Sequence, residues 1–256
     1  MRDVLGAEWT KLRTLPGNGW LLIAAVVATV AVGAATAAAV RCPSGTCAED
    51  PARISLTGVY LGQAVIAIVA VLVISGEYST GMIRVTFAAV PRRIAVLGAK
   101  AAILVCLVCL AGALAVGMSL LAGALILPGS GIGPAHGYPA LSAADGAVLR
   151  AGFGSVLYLM LIALLSLGVA ACVRDSAASI GIVLALLYLF PILGPVFGAN
   201  LGRHIQQIGP TTAGLAIQAT TNLGTLPLAP WAGLGVLAAW SAGALLAAAL
   251  LLRLRD

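Results

Sequence analysis

Few residues in this chain have the types and spacings that support catalysis or metal binding. Cys106 and Cys109 form a C-x-x-C, a spacing found in thiol redox centres and zinc sites. The pair lies inside a long apolar run, where cysteines usually serve as small buried side chains on one helix face. His136 and His204 lie far apart and lack the H-E-x-x-H spacing of a zinc protease. We therefore expect no catalytic centre, no metal site and no cofactor.

The lysines exclude a nucleotide-hydrolysing loop in this chain. A P-loop ends in Gly-Lys, because glycine backbone N–H groups and a lysine bind the phosphates together. The lysines here are Lys11, which follows Thr10, and Lys100, which follows Ala99. We expect that the chain is not an enzyme, and that any ATP-driven activity would need a separate ATPase.

The carboxylates lie at or beyond the ends of the apolar runs. Ionisable groups near the membrane midplane cost about 2.5–3.5 kcal/mol each on insertion and usually mark ion pathways. Their absence from the predicted spans argues against an ion-coupled carrier and against an intramembrane protease. The carboxylates are Asp3, Glu8, Glu49, Asp50, Glu77, Asp145, Asp175 and Asp256.

The composition is that of a membrane protein. Hydrophobic residues make up 61% of the chain, charged residues 9%, and the mean hydropathy is +1.10. Six uncharged runs each reach about the 20 residues that a helix needs to cross a bilayer. The alternative for the first run is a cleaved signal peptide, but the run is longer than the apolar part of such a peptide. We predict an all-α, polytopic protein with one domain, 1–256, and spans at 20–40, 54–74, 101–127, 151–173, 177–197 and 231–252.

The basic residues predict the orientation of these spans. Lysine and arginine concentrate in cytoplasmic loops, so the side with more of them faces the cytoplasm. The predicted arrangement is a multi-pass plasma-membrane protein with both termini cytoplasmic. The net charge of +6 then reflects topology, and no aromatic-rich basic patch indicates nucleic-acid binding. The inner residues are Arg2, Lys11, Arg13, Arg84, Arg92, Arg93, Lys100, Arg174, Arg253 and Arg255, and the outer ones are Arg41, Arg53, Arg150 and Arg203.

Two segments outside the spans show helical patterns. In residues 1–19, Leu5, Trp9 and Leu12 recur at helical spacing among basic residues, which predicts a helix in the cytoplasmic interface. The alternative is a basic tail that only fixes orientation. The segment 198–230 is rich in glycine, proline, threonine and asparagine, and its part from Ile208 to Gln218 predicts a short amphipathic or re-entrant helix at the outer surface.

Small residues recur at every fourth position in the first and last spans. Such stripes allow membrane helices to approach closely, and they suggest tight packing of both spans. The stripes are Ala25, Thr29, Gly33 and Ala37 in the first span, and Gly235, Ala239, Gly243 and Ala247 in the last.

Two cysteines lie in the first outer loop. Cys42 and Cys47 flank a Pro-Ser-Gly turn, and an oxidising exterior could close a small disulfide between them. The alternative is a pair of thiols that are not bridged.

The segment 76–100 is the one substantial inner loop. Thr80 can cap a short helix in which Ile83, Phe87 and Val90 share one face, and Pro91 ends it. This pattern predicts a cytoplasmic helix at the membrane surface that could contact a partner. The alternative is a basic loop that only fixes topology.

The order of several motifs resembles that of the type-2 ATP-binding-cassette exporter permeases. The motif Glu77-x-x-x-Gly81-x-x-Arg84 is similar to the first cytoplasmic loop of that family. The likeness extends over essentially the whole chain, with similar segments at Glu8-Trp-Thr-Lys-Leu-Arg13, Arg174-Asp-Ser-Ala-Ala, Gly209-Pro-Thr-Thr-Ala-Gly214 and Pro230-Trp-Ala-Gly233.

This resemblance implies a function and partners. The chain would be the permease subunit of an exporter for a hydrophobic or amphipathic compound, would pair with a second permease copy as a homodimer or heterodimer, and would bind a cytoplasmic P-loop ATPase. Residues 77–93 would be the coupling segment, with Glu77, Gly81 and Arg84 matching the family motif; helical spacing adds Thr80, Ile83 and Phe87. The alternative is a non-transporting membrane immunity or scaffold protein.

Overall fold

A computed structural model describes residues 16–42, 50–79, 81, 93–132, 141–142, 145–194 and 196–254. All regular structure in these residues is helical, without a β-strand. The longer helices are α1 (Pro16–Ala39), α3 (Val59–Ser79), α4 (Arg93–Ile126), α5 (Gly146–Val173), α6 (Ser176–Leu193) and α9 (Pro230–Leu254). Shorter ones are α2 (Pro51–Ser55), α7 (Ala199–Ile208), α8 (Pro210–Gly214) and three 3₁₀ turns, Leu127–Ser130, Leu215–Gln218 and Leu223–Thr225.

Within the described residues, six helices are long and apolar enough to cross a membrane, with mean hydropathies from 2.1 to 2.6. These are α1, α3, α4, α5, α6 and α9, and they confirm the predicted all-α, polytopic fold. We call the side at which α1 begins and α9 ends the N-terminal face. The opposite side, which holds residues 50–58 and 196–229, is the distal face. The predicted interfacial helix falls mostly on residues 1–15, outside the described residues, and residues 16–19 already belong to α1.

The bounds of the second and third spans differ from the prediction. The second span was placed at 54–74, but α3 runs from Val59 to Ser79 because residues 51–55 form the separate helix α2. The third was placed at 101–127, but α4 begins at Arg93. The charged residues Glu77 and Lys100 therefore lie within helices, where they form an ion pair.

Helix α5 lies at the centre of the bundle and contacts α3, α4, α6 and α9. Its buried side chains include Tyr158, Leu159 and Ile162, each at most 1% exposed. Where α5 meets α9, a Cβ atom on Gly168 would lie 2.8 Å from the carbonyl carbon of Ala244, so the two backbones approach closely. The lipid-facing surface carries exposed leucines, as expected for a bundle whose solvent is the bilayer.

The two small-residue stripes point in different directions. All four residues of the α1 stripe are buried, and a Cβ atom on Gly33 would lie 2.5 Å from the carbonyl oxygen of Ser55, which confirms tight packing. The four residues of the α9 stripe are exposed, so among the described residues this stripe does not provide the close helix contact predicted for it. Helix α9 instead meets its neighbours with the face that carries Gly233, Leu237 and Ser241.

The segment between α6 and α9 folds over the distal face. Helix α8 and the 3₁₀ turn after it are buried, with Thr211 at 1% exposure and Ile217 at 0%. This arrangement confirms a short helical element in the segment predicted at 208–218. The Trp240 indole N–H donates a hydrogen bond to the Ile208 carbonyl oxygen at 2.9 Å and so joins α9 to the end of α7.

Candidate functional site

A buried ion pair joins α3 to α4 near the N-terminal face. The Lys100 Nζ lies 2.7 Å from the Glu77 Oε1, and the two side chains are 2% and 10% exposed. Each charge removes much of the desolvation cost of the other, so both remain tolerable among apolar neighbours. The pair joins the last turns of α3 to the first turns of α4.

Further polar contacts join α3 to the start of α6 at the same face. The Ser176 hydroxyl donates to the Ser75 hydroxyl oxygen at 2.8 Å. The Arg174 guanidinium lies 5.5 Å from the centre of the Tyr78 ring, within the range of a cation–π interaction. Asp175 caps the N-terminus of α6 by accepting from the Ala178 N–H at 2.7 Å. The Ser176 and Arg174 contacts hold the short α5–α6 connection next to the end of α3.

The structure describes two of the six predicted coupling residues, Glu77 and Gly81. Glu77 lies in the last turns of α3 and faces Lys100. Gly81 has φ +71°, a left-handed conformation that favours glycine, and its N–H donates to the Tyr78 carbonyl oxygen at 3.3 Å. Thr80, Ile83, Arg84 and Phe87 lie outside the described residues, so the coupling helix stays a prediction.

A second buried carboxylate organises the distal face. The Asp50 Oδ2 accepts hydrogen bonds from the backbone N–H groups of Thr220 at 2.5 Å and Thr221 at 3.1 Å. The Asp50 Oδ1 accepts from the Thr220 hydroxyl at 2.6 Å, and from the N–H groups of Ala52 and Arg53 at the start of α2. We call this set of contacts the Asp50 clamp; it joins the first distal loop to the last one.

The same distal loop is also held from α5. The Arg150 Nη2 donates to the Ala219 carbonyl oxygen at 2.7 Å. One turn and a half further along α5, the Ser155 hydroxyl oxygen accepts from the Gln218 Nε2 at 3.1 Å. The loop 218–221 is thereby attached to both α2 and α5.

A line of polar groups crosses the bundle interior in the half nearer the distal face. The Tyr158 hydroxyl donates to the Gln63 Oε1, and both side chains are fully buried. The Tyr188 hydroxyl donates to the Tyr60 carbonyl oxygen at 2.6 Å, and the two tyrosine rings meet edge to face at 5.1 Å. A glutamine within an apolar run, Gln63, is the sequence signal for this network.

The cysteines match their predicted environments only in part. Cys42 is buried and disulfide-bonded. Cys47, its predicted partner, lies outside the described residues, so the identity of the partner stays a prediction. Cys106 is an exposed thiol on the lipid side of α4, and Cys109 is half-buried. In the described part of the chain, no three histidine, cysteine or acidic side chains converge on a point where a metal could bind.

Comparison with known protein families and curated proteins identified no related protein. The chain matches no protein-family model, and no curated protein is significantly similar to it.

Proposed function

We propose that this chain is the membrane-spanning permease subunit of an ATP-driven exporter that moves a hydrophobic or amphipathic compound outward. It would act in the plasma membrane with a separate cytoplasmic P-loop ATPase and a second permease copy. Three observations support the proposal: the six apolar helices, the lack of a Gly-Lys pair for a P-loop in the sequence, and the resemblance of the loop motif to the type-2 exporter permeases.

The observation that carries the coupling part of the proposal is the buried Glu77–Lys100 pair. The chain leaves α3 after Ser79 and enters α4 at Arg93, and the pair joins these two helices at the base of that connection. A force applied to the loop would therefore move both helix ends together, and α6 with them through the Ser75–Ser176 contact. If the ends of α3 and α4 were not joined, the same force would deform the connection between them and would not move the helices.

In this mechanism the chain performs no chemistry of its own. ATP binding would close the partner ATPase and displace the loop, and the displacement would tilt α1, α3 and α6 around a path between two copies. The apolar helices would present alanine, leucine, glycine and valine to the compound, which favours apolar cargo in general.

Purification with chemical crosslinking tests the partners. We expect the chain to be recovered with a cytoplasmic ATPase and to form a crosslinked pair with a second permease. Recovery without an ATPase, under conditions that retain the permease pair, would contradict the proposal and favour the alternative of an immunity or scaffold protein.

The coupling role is tested best at Arg84, because Glu77 is also needed for the fold. In a reconstituted complex, Arg84→Ala should reduce permease-stimulated ATP hydrolysis at least tenfold while the ATPase stays bound. Arg92→Ala, which removes the same charge from the same loop outside the motif, is the matched control. Full stimulation after Arg84→Ala, and also after Glu77→Gln with Lys100→Gln, would exclude a coupling role for the motif.

A further inference from the structure

The distal face contains two neighbouring cavities, which we call the outer and inner lobes because they share part of their lining. The outer lobe has a volume of about 380 Å³ and the inner lobe about 340 Å³. Both are lined by Arg53, Thr57 and Leu226, so these residues form the boundary between the lobes. Each volume is within the range of small-molecule binding sites.

The two lobes differ in chemical character. The outer lobe is surrounded by side chains that can form hydrogen bonds, among them Thr221, Asn222 and Thr225. The inner lobe extends toward the bundle past Pro191, Leu215 and Pro227. A molecule that fills both lobes would have a polar end outside and an apolar end inside.

At the boundary between the lobes, Arg53 is the charged residue that can bind a ligand. Both oxygens of Asp50, the other charged residue in the lining, already accept hydrogen bonds within the Asp50 clamp. The Arg53 side chain is exposed, and its guanidinium has no ion-pair or hydrogen-bond partner among the residues that the structure describes. A guanidinium in this position is a ready partner for an anionic group.

We propose that the two lobes together bind one amphipathic molecule with an anionic head group. The Arg53 guanidinium binds the head group at the boundary of the lobes, and the apolar body occupies the inner lobe. This site lies within one copy of the chain and does not depend on transport or on an ATPase.

Binding of a short, water-soluble phospholipid tests the head-group interaction. Dihexanoyl phosphatidic acid is titrated calorimetrically into the full chain in a neutral maltoside detergent. We expect saturable binding of one molecule per chain, and Arg53→Gln should weaken it at least tenfold, because a charge-assisted hydrogen bond is lost. Arg203→Gln, which removes an exposed arginine from α7 on the same face and outside both lobes, should change the affinity less than twofold.

Two further probes separate the parts of the ligand. Dihexanoyl glycerol lacks the anion, and inorganic phosphate lacks the apolar body, so both should bind at least tenfold more weakly. Equal binding of dihexanoyl glycerol would overturn the role of Arg53. Equal binding of inorganic phosphate would identify a site for a free anion and overturn the role of the inner lobe.

Discussion

At the scale of single residues, two buried carboxylates are held by specific partners. Glu77 lies 2.7 Å from the Lys100 ammonium, and each charge offsets part of the desolvation cost of the other. Asp50 is stabilised by backbone N–H groups instead of a cation. Both carboxylates therefore depend on particular partners.

Removal of one partner of the ion pair should be far worse than removal of both. Lys100→Met removes the ammonium that lies 2.7 Å from the buried Glu77 carboxylate and should lower the free energy of unfolding by about 3–5 kcal/mol. Adding Glu77→Gln should restore more than half of this loss. Thermal unfolding in detergent measures both, and the exposed Arg253→Met is the control. Equal losses in the single and double variants would show that the pair is not coupled.

Asp50→Asn should be destabilising in spite of its similar shape. An amide cannot accept at both ends, so its NH₂ group would face the N–H groups of Thr220 and Thr221 if the other contacts were kept. We expect a loss of about 2 kcal/mol in the free energy of unfolding. Asp145→Asn is the matched control, because this exposed residue caps α5 through one bond to the Ala147 N–H and asparagine caps equally well. Similar losses in both variants would contradict the clamp.

At the scale of helices, close contacts depend on glycines at the crossing points. A Cβ atom on Gly58 would lie 1.8 Å from the Thr29 carbonyl oxygen, where α1 crosses the turn before α3. A Cβ atom on Gly233 would lie 2.0 Å from the Ala213 carbonyl oxygen, where α9 meets α8. Because the obstacle is backbone in each case, no side-chain movement can relieve the clash.

Two glycines on α9 provide a matched pair of variants. Gly233→Ala should lower the free energy of unfolding by roughly 1–3 kcal/mol, because α8 must move away. Gly235→Ala should be neutral or stabilising by up to about 1 kcal/mol, since nothing lies within 4 Å of its added Cβ and alanine favours the helix. Thermal unfolding distinguishes them, and a larger loss for Gly235→Ala would show that the exposed face of α9 is packed in the assembled protein.

The sequence predicted these elements better than it predicted their contacts. Hydropathy is sufficient to identify six spans, because the bilayer requires long apolar helices. The ends of α3 and α4 could not be placed, since a charged residue remains helical when a residue 23 positions away neutralises it. Likewise, a stripe of small residues does not show whether that face of the helix is packed within the chain. The residues of the α1 stripe are buried, and those of the α9 stripe are exposed. The Asp50 clamp was missed because hydrogen bonds to backbone N–H groups leave no sequence pattern.

At the scale of the whole molecule, the two faces are built differently. The N-terminal face is held by contacts between helix ends, with an ion pair at its centre. The distal face is held by loops and short helices around the Asp50 clamp and contains the outer and inner lobes. The orientation of the two faces relative to the cytoplasm stays a prediction.

The predicted orientation can be tested with single cysteines. Arg203→Cys lies on the distal face and Arg253→Cys near the end of α9, and both positions are exposed. In intact cells, a membrane-impermeant maleimide should label the first variant, and it should label the second only after permeabilisation. The chain without either substitution is the control for its own thiols. The reverse pattern would place the termini outside.

Asp50 and Thr220 are 170 positions apart, and four of the six spans lie between them. During synthesis, the Asp50 clamp therefore cannot form until residues 220 and 221 have been made, by which point the four intervening spans have already been synthesised. We expect a nascent chain that ends before residue 219 to remain open at the distal face, and membrane quality-control proteases to degrade it.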